Sequence, residues 1–294
     1  MATQPNSIQA RFMASALLHS QQSTKTKEKM HTTFCALQAH AKARSYGRIT
    51  PESVTAKQLR NFITDRLAKV SIRTVENEAT HIRHALRGAG RADLAAQLTR
   101  ADLQIPAATR IGTRKMTEPA VLASAYEKAT ADERIWIDLQ RYGGMRQDEM
   151  IQSHKSVTMM LADLERGASH VTIRDGTKGG KIRDTYIPAD YRGRLRNALE
   201  RAQAVLAARQ YLVDAPNGKA AARQVHRHYQ KLGLSGANSS HSLRASFAVH
   251  SHGSYLAQGL SARVALANLS NDLGHGDGRG RWVYNNYLRG TLEG

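Results

Sequence analysis

The chain has 294 residues and a mass of 32.4 kDa, with 43 Lys+Arg against 24 Asp+Glu, a formal charge of +19 and a pI near 10.4. Hydrophobic residues at 41% allow a real core, and the length suits two domains of about 150 residues each. The lone Cys35 excludes an internal disulfide framework and a zinc site of paired cysteines, and no run approaches the roughly 18 apolar residues of a membrane helix. A strongly cationic chain of this kind expects a polyanion as partner, nucleic acid first.

Residues 1–24 are polar and rich in Gln and Ser, and are expected to be a flexible N-terminal segment. Helix-favouring residues then run over 26–44 toward a turn at Gly47. A second helix starts after Thr55, a good N-cap, with Leu59, Phe62, Ile63 and Leu67 on one face. A third follows Ser71, with Val75, Ala79, Ile82 and Leu86 on one stripe and Gly88 as its expected C-terminal stop. This third helix also carries Arg73, His81, Arg83, His84 and Arg87, so it can bury one face and offer a cationic one. Residues 25–103 read as a small all-helical bundle, with Arg73, Arg83 and Arg87 as its candidate nucleic-acid contacts.

Residues 104–115, with Pro106 and Gly112 and little periodicity, are read as a linker. Helices are expected over 118–129 and 132–142, the second halted by Gly143-Gly144. Stretches 171–174 and 182–187 read as two strands joined by a glycine-rich turn. Further helices follow over 191–210, 219–232, 239–250 and 261–272, and a last one from about Arg281. The stretch 252–260 reads as a loop or a lengthened helix. The expected fold is mainly α with a small antiparallel β-sheet, the second domain (116–294) being α+β. Both halves are basic: residues 1–115 hold 19 Lys+Arg against 7 Asp+Glu, or +12, which leaves +7 for the remainder.

The second domain scatters groups suited to phosphodiester chemistry. Arg146 follows the Gly143-Gly144 turn, with Glu149 one helical turn on. Lys178 sits at the hairpin tip, with Lys181 as its fallback. His241 and Arg244 share a helix face, and His275 precedes Tyr284 and Tyr287. Arginines can hold the non-bridging oxygens of a phosphate, whose charge grows in a pentacoordinate transition state. A tyrosine hydroxyl can act as covalent nucleophile and a lysine can protonate a departing sugar oxygen. No carboxylate or cysteine cluster supports a metal site.

The set resembles the tyrosine recombinases, or phage integrases. RYGGMRQDEM at 141–150 is similar to their first arginine motif, and GTKGGKIRDTYIP at 176–188 to their hairpin with the catalytic lysine. HSLRASFA at 241–248 matches their His-x-x-Arg motif, and LGH at 273–275 followed by tyrosine their C-terminal box. The helical first domain is similar to the family's core-binding domain, and 116–294 to its catalytic domain. The resemblance implies that Arg146, His241 and Arg244 grip the scissile phosphate, with His275 as a further donor. It implies that Lys178 is the general acid and Glu149 orients Arg146. A tyrosine would attack phosphorus to give a 3′-phosphotyrosyl link without metal, ATP or other cofactor. The expected partner is double-stranded DNA at a specific site, bound by a homo-oligomer, a tetramer by the family's habit, with no membrane role and a cytoplasmic, nucleoid-associated place of work.

The family's usual spacing, nine residues past the histidine, selects Tyr284. Glycines at 276, 278 and 280 should delay the last helix and carry the nucleophile to Tyr287, which is the expected nucleophile. A type IB topoisomerase-like relaxing enzyme is the alternative within the same chemistry. A catalytically silent DNA-binding architectural protein is the alternative outside it.

Overall fold

The computed structural model describes residues 7–19, 23–107 and 114–293, and the chain divides into two compact units, Met1–Thr109 and Arg110–Gly294. Residues 108–113 of the expected linker lie outside the described residues.

Among its described residues the regular structure of the first unit is all helix. It comprises α1 (Ile8–His19), α2 (Thr24–Ala43), α3 (Ala56–Leu67), α4 (Ile72–Gly88) and the short α5 (Ala92–Gln97). Thr55 closes a capping box with Gln58 at the start of α3, and Ser71 caps α4. The stripe Val75, Ala79, Ile82 and Leu86 is buried together with Leu59, Phe62 and Ile63. Each such large side chain contributes roughly 1.5–3 kcal/mol through removal from water.

Two expectations fail in this unit. Residues 8–19 are not a flexible segment but α1, which packs on α4 and α2 with Phe12 and Ala16 fully buried. Ser15 Oγ donates to the Ala85 carbonyl at 2.6 Å, fixing the contact. Gly88 is the last residue of α4, where the stop was expected, and the left-handed φ of +74° falls two residues on at Gly90. Gly88 is also where α1 comes close, since a Cβ there would stand 1.8 Å from the Ser15 carbonyl oxygen. His81 does not belong to a cationic face. It is buried, its Nδ1 lies 2.8 Å from Thr33 Oγ1, and burial followed by His84 and Lys29 lowers its pKa to about 4.

The second unit is built around α7 (Ala131–Tyr142), which carries Trp136, Ile137 and Leu139 into the core and is covered by α10 (Ala189–Ala208) and α12 (Ser240–Ala257). In chain order it comprises α6 (Pro119–Lys128), α7, α8 (Gln147–Gln152), α9 (Val157–Glu165), β1 (His170–Ile173), β2 (Arg183–Tyr186), α10, α11 (Gly218–Lys231), α12, α13 (Ala262–Asp272), α14 (Gly280–Val283) and α15 (Arg289–Leu292). The strands pair antiparallel, His170 opposite Tyr186 and Ile173 opposite Arg183. Strand β2 begins one residue later than read from sequence, and Ile182 is left 62% exposed. Residues 252–257 lengthen α12 rather than form a loop. Between α14 and α15 the backbone makes a π-helical turn, Tyr284–Leu288. The fold is mainly α with one two-stranded antiparallel sheet, and no helix among the described residues is long and apolar enough to cross a membrane.

Candidate active site

The site begins where α13 ends. Gly274, at φ +63°, closes the helix: its N–H donates to the Asn271 carbonyl at 2.7 Å and the His275 N–H to the Ser270 carbonyl at 2.8 Å. This is a Schellman cap, which explains why glycine stands between Leu273 and His275. The helix end leaves carbonyls that need donors and carry partial negative charge. Arginines fill that need. Leu273 O accepts from Arg146 Nη2 at 2.8 Å and from Arg244 Nη2 at 2.5 Å, and Asp272 O accepts from Arg183 Nε at 2.7 Å.

A buried carboxylate holds the same three guanidinium groups. Glu149, fully buried in α8, accepts from Arg146 Nη1 at 2.6 Å and from both Arg183 Nη atoms at 2.6 and 2.8 Å, while Arg244 Nη1 stands 3.5 Å away. Its other task is to cap α8, taking the Arg146 N–H at 2.7 Å. Burial alone would raise the Glu149 pKa, but the hydrogen bonds and charge of Arg183, then the charges of Arg244 and Arg146, hold it down to about 2. Three cations meet one anion, so the cluster keeps a surplus of two positive charges. Arg244 is 0% exposed, and its burial among other arginines lowers its pKa to about 10. Gly144, at φ +59°, turns its carbonyl to Arg244 Nη1 and lies so close to Phe247 that a Cβ would stand 2.5 Å from the ring.

The two tyrosines part company at the π turn, which advances the chain less per residue than an α-helix does, so positions three apart no longer share a face. Tyr287 is 2% exposed, with its hydroxyl 3.4 Å from His275 Nε2 and the Arg114 guanidinium 5.3 Å from its ring centre. Burial pushes its pKa up, yet the charges of Arg244, Arg114 and Arg146 bring it below the ordinary phenol value. Tyr284 instead donates to Glu293 at the surface, which raises its pKa. The His275 ring lies tilted against Trp282 with centroids 4.3 Å apart, and desolvation plus the surrounding arginines lower its pKa far enough to keep it neutral. His241, at the start of α12, keeps an exposed side chain. Neighbouring atoms still crowd it enough that desolvation, then Arg114, Arg244 and Arg146, lower its pKa.

Arg146, Glu149, Arg244, His275 and Tyr287 thus converge. Lys178 does not join them. It is exposed in a 3-10 turn (Lys178–Gly180) at the hairpin tip, as is Lys181 beyond it. The hairpin itself is seated on α8, because Gly176 at φ +70° leaves no room for a Cβ against the Asp148 carbonyl, 2.3 Å away. In the first unit Arg73 and Arg87 are exposed, with Arg73 paired to Glu76 at 3.2 Å. Arg83 is half-buried and committed to the Leu98 carbonyl and Thr80 Oγ1, both at 3.0 Å. Sequence reasoning missed Arg183, Arg114 and Trp282 as members of the site. In the sequence Arg183 is one more cation of the hairpin, and only the pairing of β2 places it on the inward face beside Thr185.

An integrase family model matches residues 104–250, half of the chain. The chain therefore belongs to the integrase family, the tyrosine recombinases. The matched stretch includes Arg146, Lys178, His241 and Arg244, while His275 and both tyrosines lie beyond it. Among solved structures, the chain is similar to the XerH site-specific recombinase in a post-cleavage complex with its palindromic difH substrate. Identity there is 19% over 87% of this chain and 75% of that one, with a TM-score of 0.56, which shows a shared fold. The XerA recombinase is also matched, at 14% identity over 94% of this chain and 93% of that one, with a TM-score of 0.37. No curated protein matches the chain.

Proposed function

We propose that this recombinase cleaves and rejoins DNA at a specific site through a 3′-phosphotyrosyl intermediate formed on Tyr287. The observation that carries the reading is a buried tyrosine beside an arginine cluster with two surplus positive charges, a place that is incomplete without an anion. A phosphodiester supplies it. Arg146 and Arg244 hold the non-bridging oxygens, whose growing charge they meet with preformed donors. His241 adds a donor from the start of α12. The Tyr287 oxygen attacks phosphorus and the bond to the 5′ oxygen breaks. Lys178, from the hairpin tip, gives that oxygen its proton once DNA fills the site, and neutral His275 is the nearest acceptor for the phenol proton. The new phosphodiester keeps the energy of the old one, so the 5′-hydroxyl of another strand can reverse the step without ATP or a metal.

The units divide the work in this reading. Residues 25–103 bind the phosphate backbone, with Arg73 and Arg87 as contacts, and residues from 116 onward carry the chemistry. XerH was captured after cleavage of its own substrate, and by extension this chain acts on double-stranded DNA as a homo-oligomer, a tetramer in the full synapse, in the nucleoid. A nicked suicide duplex carrying the target site tests the reading. A denaturation-resistant protein–DNA species with a free 5′-hydroxyl end is expected. Specific binding with no such species would leave the chain an architectural DNA-binding protein, and site-independent relaxation of supercoils would make it topoisomerase-like.

A further inference from the structure

Arg114, the first described residue of the second unit, lies against the nucleophile. Residues 114–118 are laced to the C-terminal helices and to α12: Met116 N–H donates to Thr291 Oγ1 at 3.2 Å, and Thr117 N–H donates to Ser246 Oγ at 3.1 Å. Gly290, three residues past Tyr287, takes the closest approach. It is helical, so its backbone does not require glycine, yet a Cβ there would stand 2.9 Å from the Arg114 carbonyl oxygen. A glycine inside a helix is otherwise a cost relative to alanine. This one makes room for the Arg114 backbone, and the Arg114 side chain then lies with its guanidinium over the Tyr287 ring.

We infer that Arg114 is a positioning residue for the nucleophile, holding the Tyr287 ring in register and supplying a positive charge that favours its phenolate, with Gly290 as the notch that seats it. The inference rests on the proposed role of Tyr287. The groups facing that tyrosine are Arg244 from α12, Arg146 from the start of α8, His275 from the turn after α13, His241 nearby and Arg114 itself. Both histidines are lowered toward neutrality, so the charges that act on the phenol are arginines, and Arg114 follows Arg244 among them. The other two arginines are committed to Glu149 and to the end of α13. Arg114 has no such tie in the described contacts, and its charge is directed at the tyrosine.

The test is the pH dependence of single-turnover cleavage of a nicked suicide duplex by the full chain, with DNA binding measured in parallel. In Arg114→Gln the rising limb is expected to move to higher pH by about one unit, because an opposite charge at this range shifts a pKa by about that much or more. At neutral pH this reads as a roughly ten-fold loss of rate with binding retained. Arg114→Lys keeps a charge and is expected to keep the limb near its wild-type position. Gly290→Ala, whose Cβ would have to displace the Arg114 backbone, is expected to slow cleavage and to move the rising limb in the same direction as Arg114→Gln. A duplex with a 5′-bridging sulfur at the scissile phosphate, whose leaving group needs no proton, should rescue Lys178→Ala and leave Arg114→Gln slow. An unshifted limb in Arg114→Gln, or a rate loss matched by equal loss of binding, overturns the inference while wild-type adduct at Tyr287 keeps the reading. Absence of that adduct in the wild type overturns both.

Discussion

Glu78 in the first unit and Glu149 in the second are both buried carboxylates held by arginine forks, and they differ in how the charges balance. Arg66 meets Glu78 alone, through Nε at 2.9 Å and Nη2 at 2.7 Å, and the pair is neutral. Glu149 is met by Arg146, Arg183 and Arg244, and the sum is positive by two. A neutral buried pair holds two helices in place and asks for nothing more. A buried cluster left positive is costly until an anion arrives, and in the proposed function its excess charge serves binding and chemistry rather than folding. The +19 of the chain therefore consists of two kinds of charge: a spread of exposed cations and a small interior surplus.

The sharpest way to break that contrast is Glu149→Gln. Removing the one anion from three cations, two of them buried and Arg146 half-buried, should destabilise the fold by about 3–5 kcal/mol, read by urea unfolding, with partial recovery in phosphate or sulfate. The pH dependence has a definite sign. The Glu149 pKa is depressed from 4.5 to about 2, so its contribution is fully present above pH 4.5 and is lost as pH falls from there toward 2. Wild-type stability should drop through that window more steeply than that of Glu149→Gln, in the same unfolding series. Next in size, Arg244→Lys or Arg146→Lys keeps a charge but loses the fork. Cleavage should fall by about 10²–10³-fold while DNA affinity changes little, measured by single-turnover kinetics beside a binding titration. Equal losses in both quantities would make the cluster a binding patch.

The neutral pair supplies the smaller effects. Replacing Arg66 and Glu78 together by Met should leave stability within about 1 kcal/mol of wild type and cleavage intact, because an apolar pair can substitute for a neutral buried ion pair. Tyr284→Phe removes only a surface hydroxyl–Glu293 contact, and should change stability by less than about 0.5 kcal/mol and leave adduct formation in place. A collapse of cleavage in either variant would erase the distinction between the two regions.

Much of this was legible in the sequence, for reasons that can be named. Arg146 with Glu149, His241 with Arg244, and Leu273-Gly274-His275 are local patterns set by helix periodicity and by a glycine cap, and such patterns survive in one dimension. The delay of the last helix was also readable: left-handed glycines at 274, 276 and 278 bring its start to Gly280, one residue from the expected Arg281. What was not readable depends on tertiary contact. Arg183 looks like one more hairpin cation until the pairing of β2 turns it onto Glu149. Arg114 sits in a stretch read as linker and gains its meaning from Gly290, 176 positions away. The π turn that buries Tyr287 and leaves Tyr284 outside has no sequence signature of its own. In the first unit, α1 was hidden by the Gln- and Ser-rich residues on either side of it: its own residues are mostly apolar, although only Phe12, Ser15 and Ala16 are buried.

The most direct test of the account is to digest the covalent complex trapped on a suicide duplex and map the modified residue by mass spectrometry. The account predicts a nucleotide 3′-phosphate attached to Tyr287, and none attached to Tyr284. Modification of Tyr284, or of a residue outside the arginine cluster, would contradict it.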